Sequence, residues 1–574
     1  MQTTQTVAAC ALDELKSATC KVVSIAGKTI LVVYDDGRVF ALDNRCPHMG
    51  FPLHRGTVRD GILTCHWHHA KFDLSSGCTL DPFADDTPSF AVEVRDGMVY
   101  VDPRPREPDR RIHWTRKLQE GLQQDLPLVL AKSVIGLVEL GAVEDILTLT
   151  AEFGLTNRAA GWSTGLTILT AMATLLPTLA PEDRRLALYH GLVHVARSTA
   201  NQAPHFDLGP LATGETTATR YLEWFRQFID SRSAEAAERT LRTAIHMNLP
   251  QDTIATMLFA ACTDHLYLDE GHTLDFANKA FELLDHIGWQ HADAVLPALL
   301  PHLVSADRAE ERESWRHPVD TPALLSAAYA ELEAWITEGT RHPQAWSGHE
   351  ALAEHILDEE PAAMLEAMAR LIRDGVPLRE LASTVAYAGA KRLVHFHVSN
   401  EFSDWNTVHH TFTYANAVDQ AIRRAPSPLV ARGILDGAMS VYLERFLNVP
   451  KQPAPRPSGR PRTAADLLAT FDGYGHVEEA AAIVADLLAT KHHDQVVTAL
   501  GHALLREDAG FHQFQIYEAG VRQYERFAHS RLGDDVLIGV TRFLAAHSPT
   551  VRATGQTFRT AERLHRGEAL HAEP

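Results

Sequence analysis

The chain has 574 residues, enough for two or more cores, and its 45% hydrophobic and 22% charged residues are the proportions of an ordinary globular protein. A formal net charge of −20 argues against a nucleic-acid backbone or an anionic membrane surface as the main partner, and no run of about 18 apolar residues offers a membrane span. Six cysteines give no disulfide framework and MQTTQTVAACALDELKS lacks the basic and apolar regions of a secretory leader, so a reduced, cytoplasmic protein is expected.

From Cys20 to about Asp102 the sequence is β-like. KVVSIAG, KTILVVYDDGRVFAL and SFAVEVRDGMVYV are rich in β-branched and aromatic residues, and Asp36-Gly37 and Asp96-Gly97 predict tight hairpins between such runs. Within this segment Cys46-Pro47-His48 and Cys65-His66-Trp67-His68 form C-x-H-x16-C-x2-H. Two thiolates suit one iron of a [2Fe–2S] pair and two imidazoles the other, while Pro47, Gly50 and Pro52 supply the backbone for tight loops. Zinc competes for any such Cys2His2 set.

The intervening text, CPHMGFPLHRGTVRDGILTCHWHHAKFDLSSGCTLDP, resembles the Rieske [2Fe–2S] ferredoxin family. The resemblance implies a cluster on Cys46, His48, Cys65 and His68. The extra loop cysteines of respiratory Rieske proteins are missing, and no serine stands at position 69 or 70 to donate to a sulfide. A potential toward the low end of the Rieske range, about −150 mV, is therefore expected, as in ferredoxins serving oxygenases and the small subunit of nitrite reductase. His69 replaces the glycine often found there, and Cys78 is expected to be a buried thiol rather than a ligand.

Proline and charge dominate DPRPREPDRR at 102–111, so the expected boundaries are a first domain over 1–105, a linker over 106–115 and a helical domain over 116–574. The helical part is rich in Ala, Leu, Glu and Arg at helical spacing, and PEDRRLALYHGLVHVARS and PAAMLEAMARLIRDG carry helix-start signals. PKQPAPRPSGRPR at 450–462 is a break, either a linker or an ordered loop. The expected class is thus α+β multidomain, a small all-β domain followed by a large all-α one. The latter holds a candidate internal repeat: 249–261 aligns with 376–388, and His272–Asn278 with His410–Asn416, eleven residues being added between the blocks of the second copy.

Of the 32 histidines, 27 lie beyond residue 105. His190 and His194 share a helix face; His265 and His272 flank one short stretch with Asp264 and Asp275; His395, His397, His409 and His410 gather with Asp404 in sixteen residues. Such imidazoles with carboxylates suit a second, non-haem iron or another transition metal. Glu282 and His286 read instead as a surface i,i+4 pair. If the repeat holds, His272 and His410 face one another at a shared site, walled by Phe276 and Tyr414, with Asn278 and Asn416 serving packing or helix ends.

The helical segment lacks the two-histidine, one-carboxylate spacing of aromatic-ring oxygenases, and no G-x-G-x-x-G follows a strand. Electrons are therefore expected from an external reductase or ferredoxin. LYHGLVHVARSTANQ and the histidine clusters are vaguely similar to questin-oxidase-like proteins, which implies oxygen insertion into a small molecule. Two functions remain open. One is an oxidoreductase whose cluster feeds a histidine-bound metal or oxygen-dependent site; the other is a Rieske ferredoxin fused to a helical interaction domain that serves a separate partner enzyme.

Overall fold

Ile30, Leu31, Val32 and Val33 form an unbroken apolar run within Lys28–Asp35, and both faces of that strand are buried: Leu31 and Val33 enter one core, Ile30 and Val32 another. A computed structural model describes residues 6–106, 109–158, 160–212, 217–358, 360–568 and 570. Three antiparallel three-stranded sheets form around those cores. Lys28–Asp35 lies between Cys20–Ile25 and Arg38–Asp43; Met98–Pro105 lies between Val7–Ala11 and Phe90–Arg95; Ile62–Thr64 lies between Thr57–Arg59 and Lys71–Asp73. The expected Asp-Gly hairpins are present, with both central residues left-handed: Asp36 and Gly37 at φ 44° and 76°, Asp96 and Gly97 at 49° and 74°.

A small β domain is therefore followed by a large helical region, but the boundaries differ from those expected. Pro105 ends a strand and pairs with Phe90, and Arg110–Gln123 is already helix, so 106–115 is not an extended linker; residues 107 and 108 lie outside the described residues. The chain divides into Met1–Thr150 with Ala553–Pro574, and Ala151–Arg552. In the first unit Arg110–Gln123 packs against Pro127–Glu139, Gly136 sitting so close to Trp114 that a Cβ would lie 2.3 Å from its ring. The helix Ala553–His565 packs on Pro127–Glu139, and Arg45 donates to the Leu564 carbonyl at 3.3 Å. These helices are bolted to the β domain by buried polar contacts. Lys117 donates to the Ala84 carbonyl at 3.3 Å, and His113 sits 2.8 Å from Asp85 and 3.3 Å from Asp86.

The second unit is helical hairpins. Both blocks of the candidate repeat fall on such hairpins: Gln251–Thr263 then His272–Ile287, and Leu378–Val394 then Phe402–Arg424. The added residues of the second copy largely extend its latter helix upstream, so that His272 is a first helical residue and His410 a mid-helix one. The stretch 450–462 is an ordered loop, fixed by Gln452 N–H to the His395 carbonyl (2.9 Å) and by Ser458 to Asp486 (2.7 Å). No helix among the described residues is long and apolar enough to cross a membrane.

Burial opposes charge on His113, but hydrogen bonds to Asp85 and Asp86 outweigh it and raise its pKa to about 9. With a folded value above the unfolded one, about 6.5, its contribution is complete below pH 6.5 and disappears as pH rises through 9. Denaturant titrations of the full chain should show the β-domain transition weakening by up to about 3 kcal/mol over that window, and His113→Gln should flatten the slope.

Candidate metal centres

Cys46 and Cys65 begin two loops of one design. Each cysteine N–H donates to the carbonyl five residues on, Cys46 to Phe51 and Cys65 to Ala70, both at 2.8 Å. Each cysteine carbonyl accepts from the fourth residue on, Gly50 at 2.7 Å and His69 at 3.0 Å. That fourth residue is left-handed in both loops, Gly50 at φ 85° and His69 at φ 63°. Glycine adopts this freely, whereas a side chain there costs about 1–2 kcal/mol. The turns aim backbone N–H groups at sulfur: His48 and Met49 at Cys46, Trp67 and His68 at Cys65.

The two sulfurs hydrogen-bond each other, a bond that holds the Cys65 thiol below its ordinary range, and the rings of His48 and His68 meet edge to face at 4.7 Å. His48 is half-buried against Phe83, and its Nδ1 is buried without a hydrogen-bond partner. Burial, then His68 and Lys132, lowers its pKa to about 4, so the ring is neutral, as a metal ligand must be. Paired sulfurs, N–H groups directed at them and an orphaned imidazole nitrogen together fit a [2Fe–2S] cluster. Cys78 is exposed, not the buried thiol expected, because it lies in the turn after Lys71–Asp73.

A second constellation forms among helices. His272 begins His272–Ile287, His410 lies within Phe402–Arg424, and His512 is in the first turn of Phe511–Arg526. One ring nitrogen from each lies within 4.8 Å of the others. His410 Nε2 is 3.1 Å from His512 Nε2, and the His272 and His410 rings are 4.5 Å apart. The far nitrogen of His410, Nδ1, is 3.0 Å from a Glu270 carboxylate oxygen. That carboxylate takes the N–H and leaves the Nε2 lone pair facing the other rings. Burial drives His272 to about 3 and His512 to about 4, so both are neutral at pH 7; the bond from His410 holds Glu270 below the usual carboxylate range.

The approach to His272 is strained. Tyr267, Asp269 and Glu270 have φ of 45°, 49° and 55°, and Gly271 has 90°. Each such non-glycine residue costs about 1–2 kcal/mol and persists where surrounding structure enforces it. Asp436 does so, accepting the Tyr267 N–H at 2.9 Å and the Tyr414 hydroxyl at 2.5 Å. At Gly271 a Cβ would lie 2.6 Å from Tyr414 Cβ. The distortion delivers the Glu270 carboxylate to His410. His409 stands behind the site: its Nε2 bonds Gln515 at 3.0 Å, and Gln515 donates to Asp275 at 2.6 Å.

The remaining histidines singled out in the sequence do not join this group. His190 Nε2 bonds the Leu505 carbonyl, with His194 stacked 6.4 Å away; His265 pairs with Glu310 at 2.8 Å. His395 bonds the Gln452 carbonyl and half-buried His397 bonds Ser399, because both lie past the end of Leu378–Val394 and outside the helix that carries His410. Asp404 caps Phe402–Arg424 through the Glu401 N–H, and Asp264 is engaged by Arg226 and Arg432. Glu282 and His286 are no surface pair: Glu282 is buried on Lys279, and His286 bonds Thr174. Phe276 does pack on His272 at 5.9 Å, whereas Tyr414 is turned to Asp436. Asn278 and Asn416 are buried within helices, hydrogen-bonded to Glu282 and Gln523, and sit at no helix end. His512 and Glu270 carried no sequence signal of their own. Another grouping, His205, Asp207 and Glu238, already receives its cation from Arg242, which bonds both carboxylates.

Residues 5–91 match the family model of the Rieske [2Fe-2S] domain. Human apoptosis-inducing factor 3 is 35% identical over 95 residues, a stretch covering 16% of this chain and 16% of that protein, so the chain spans about a sixth of that relative. The 3-phenylpropionate/cinnamic acid dioxygenase ferredoxin subunit of Photorhabdus laumondii is 32% identical over 94 residues, 16% of this chain and 89% of the subunit. Among solved structures, the ferredoxin of carbazole 1,9a-dioxygenase from Nocardioides aromaticivorans aligns at 25% identity over 17% of this chain and 98% of its own, with a TM-score of 0.17.

Reduced protein should give the rhombic electron-resonance signal of mixed Cys/His ligation, and Cys46→Ser or His68→Ala should abolish it; a colourless, zinc-bearing preparation from iron-replete cells would contradict the assignment. His69→Gly, relieving the left-handed strain, should stabilise the loop by about 0.5–1 kcal/mol in chemical denaturation while the signal persists.

Proposed function

Because its N-terminal domain belongs to the Rieske [2Fe–2S] family, we propose that this chain is an oxidoreductase in which the cluster on Cys46, His48, Cys65 and His68 supplies electrons to a transition-metal centre held by His272, His410 and His512. The observation that carries this reading is the convergence of three imidazoles from three helices, with a carboxylate fixing the tautomer of one. Three imidazole nitrogens suit iron among the redox-active metals and leave coordination positions open. When bound there, iron supplies a redox-active Lewis acid able to engage dioxygen beside a small-molecule substrate.

The chain's own residues do the rest. Glu270 holds the Nδ1 proton of His410, and its half-exposed side chain marks where solvent reaches the site. The rings of Phe276 and Phe511 lie 5.9 and 5.5 Å from that of His272, an apolar wall suited to a nonpolar substrate. Gln515, pinned by Asp275, orients His409 beneath His512. An external reductase or ferredoxin fits as electron source, since Trp67 and His68 leave one edge of the cluster site exposed.

Metal analysis of the full chain should find one transition metal beyond the two irons of the cluster. His272→Ala, His410→Ala and His512→Ala should each weaken its retention by more than tenfold with the Rieske signal intact. Unchanged stoichiometry in all three variants, or no metal beyond the cluster in wild type, would instead favour a ferredoxin fused to a helical interaction domain.

A further inference from the structure

Lys132 lies on Pro127–Glu139, beyond the segment matched to the Rieske family, and is 7% exposed. Its Nζ donates to the carbonyl of Pro47, the residue between the ligands Cys46 and His48. The peptide unit bearing that carbonyl ends in the His48 N–H, and this N–H donates to the Cys46 sulfur. One conjugated peptide is thus gripped at its oxygen by the lysine while its nitrogen serves the cluster ligand. Drawing electron density at the oxygen makes the N–H a stronger donor, the cooperativity of any hydrogen-bonded chain.

Burying a lysine is costly unless its N–H groups and charge are answered. Here Asp85 answers the charge: burial raises its pKa, but the bond to His113 and the charge of Lys132 bring it below the ordinary value. Burial lowers that of Lys132, with Asp85 and Cys46 opposing. The chain therefore places a buried cation and its counter-charge against the first ligand loop, where nothing in the packing of two helices requires either.

We propose that Lys132 is a positioning residue for the cluster, raising its reduction potential by polarising the Pro47–His48 peptide toward the Cys46 sulfur. It supplies, from a helix outside the ferredoxin-like segment, part of the donation that the missing serine would have given. This rests on the Rieske assignment and not on the second metal.

The test is a mediated potentiometric titration of the full chain, followed by electron resonance. Lys132→Met should lower the equilibrium constant for one-electron reduction about tenfold, which is about 59 mV, with the rhombic signal retained. Lys132→Arg, which keeps a charged donor, should stay within threefold of wild type. Lys117→Met removes a neighbouring buried cation that bonds the Ala84 carbonyl instead, and should shift the constant by less than twofold. If Lys132→Met does not assemble its cluster, Lys132→Gln, with an uncharged donor, should show a drop of the same sign. An unchanged potential in the cluster-bearing Lys132 variant, or an equal drop in Lys117→Met, overturns the proposal; wild type lacking the rhombic signal overturns the Rieske assignment instead.

Discussion

Four backbone N–H groups can point at two sulfurs only if the chain turns sharply after each cysteine, and that turn is the constraint on which the N-terminal centre depends. The Cys46 and Cys65 carbonyls each close it by accepting from the residue four further on. The geometry forces a left-handed residue at that position and spends the cysteine N–H groups on Phe51 and Ala70. Once the loops are so fixed, little freedom remains for tuning within them. Further adjustment has to come from side chains reaching in from outside, and Lys132 and the Asp85–His113 pair stand where such adjustment acts.

The helical unit meets the same demand, nitrogen lone pairs without water, by a different route. No short loop presents its histidines; three separate helices do, and the strain is concentrated in the Tyr267–Gly271 approach. Asp436 bears the load there, bonding one strained N–H and a tyrosine hydroxyl while its own pKa is pushed up to about 7 by burial. Backbone strain of this kind is a cost that packing alone does not call for, and it sets Glu270 against His410.

How much of this was legible follows from how local each feature is. The two Cys/His loops, and with them the Rieske domain, were readable because each loop is contiguous in sequence and its residue types are chemically diagnostic. The facing of His272 and His410 was readable because the two blocks fall on the second helices of two hairpins that pack together, although His272 opens its helix and His410 lies within its own. His512 was not, since it approaches from a helix about a hundred residues away and has no local companion. His395 and His397 misled for the converse reason: closeness in sequence to His410 is undone because they lie in the connection before the helix that carries it. The spacing of Glu282 and His286 correctly gave one helix face, but spacing cannot tell whether a face meets water or Lys279. The linker was misread because prolines tolerated at a strand end resemble those of an extended tether.

The two imidazoles of the cluster site are not equivalent, and this bears on how electrons enter. His48 is half-buried against Phe83, with Lys132 bonded to the adjacent peptide. His68 is exposed, its ring 4.4 Å from that of Trp67, which is itself 38% exposed. A donor protein can therefore reach the site at the His68 edge without disturbing the polarised peptide at the His48 edge. Separating the contact edge from the tuning edge would let a helical arm set the potential without covering the exposed rings. On the proposed role of Lys132, the tuning task falls to a helix beyond the segment matched to the Rieske family, and the contact task stays with the Cys65–His68 loop.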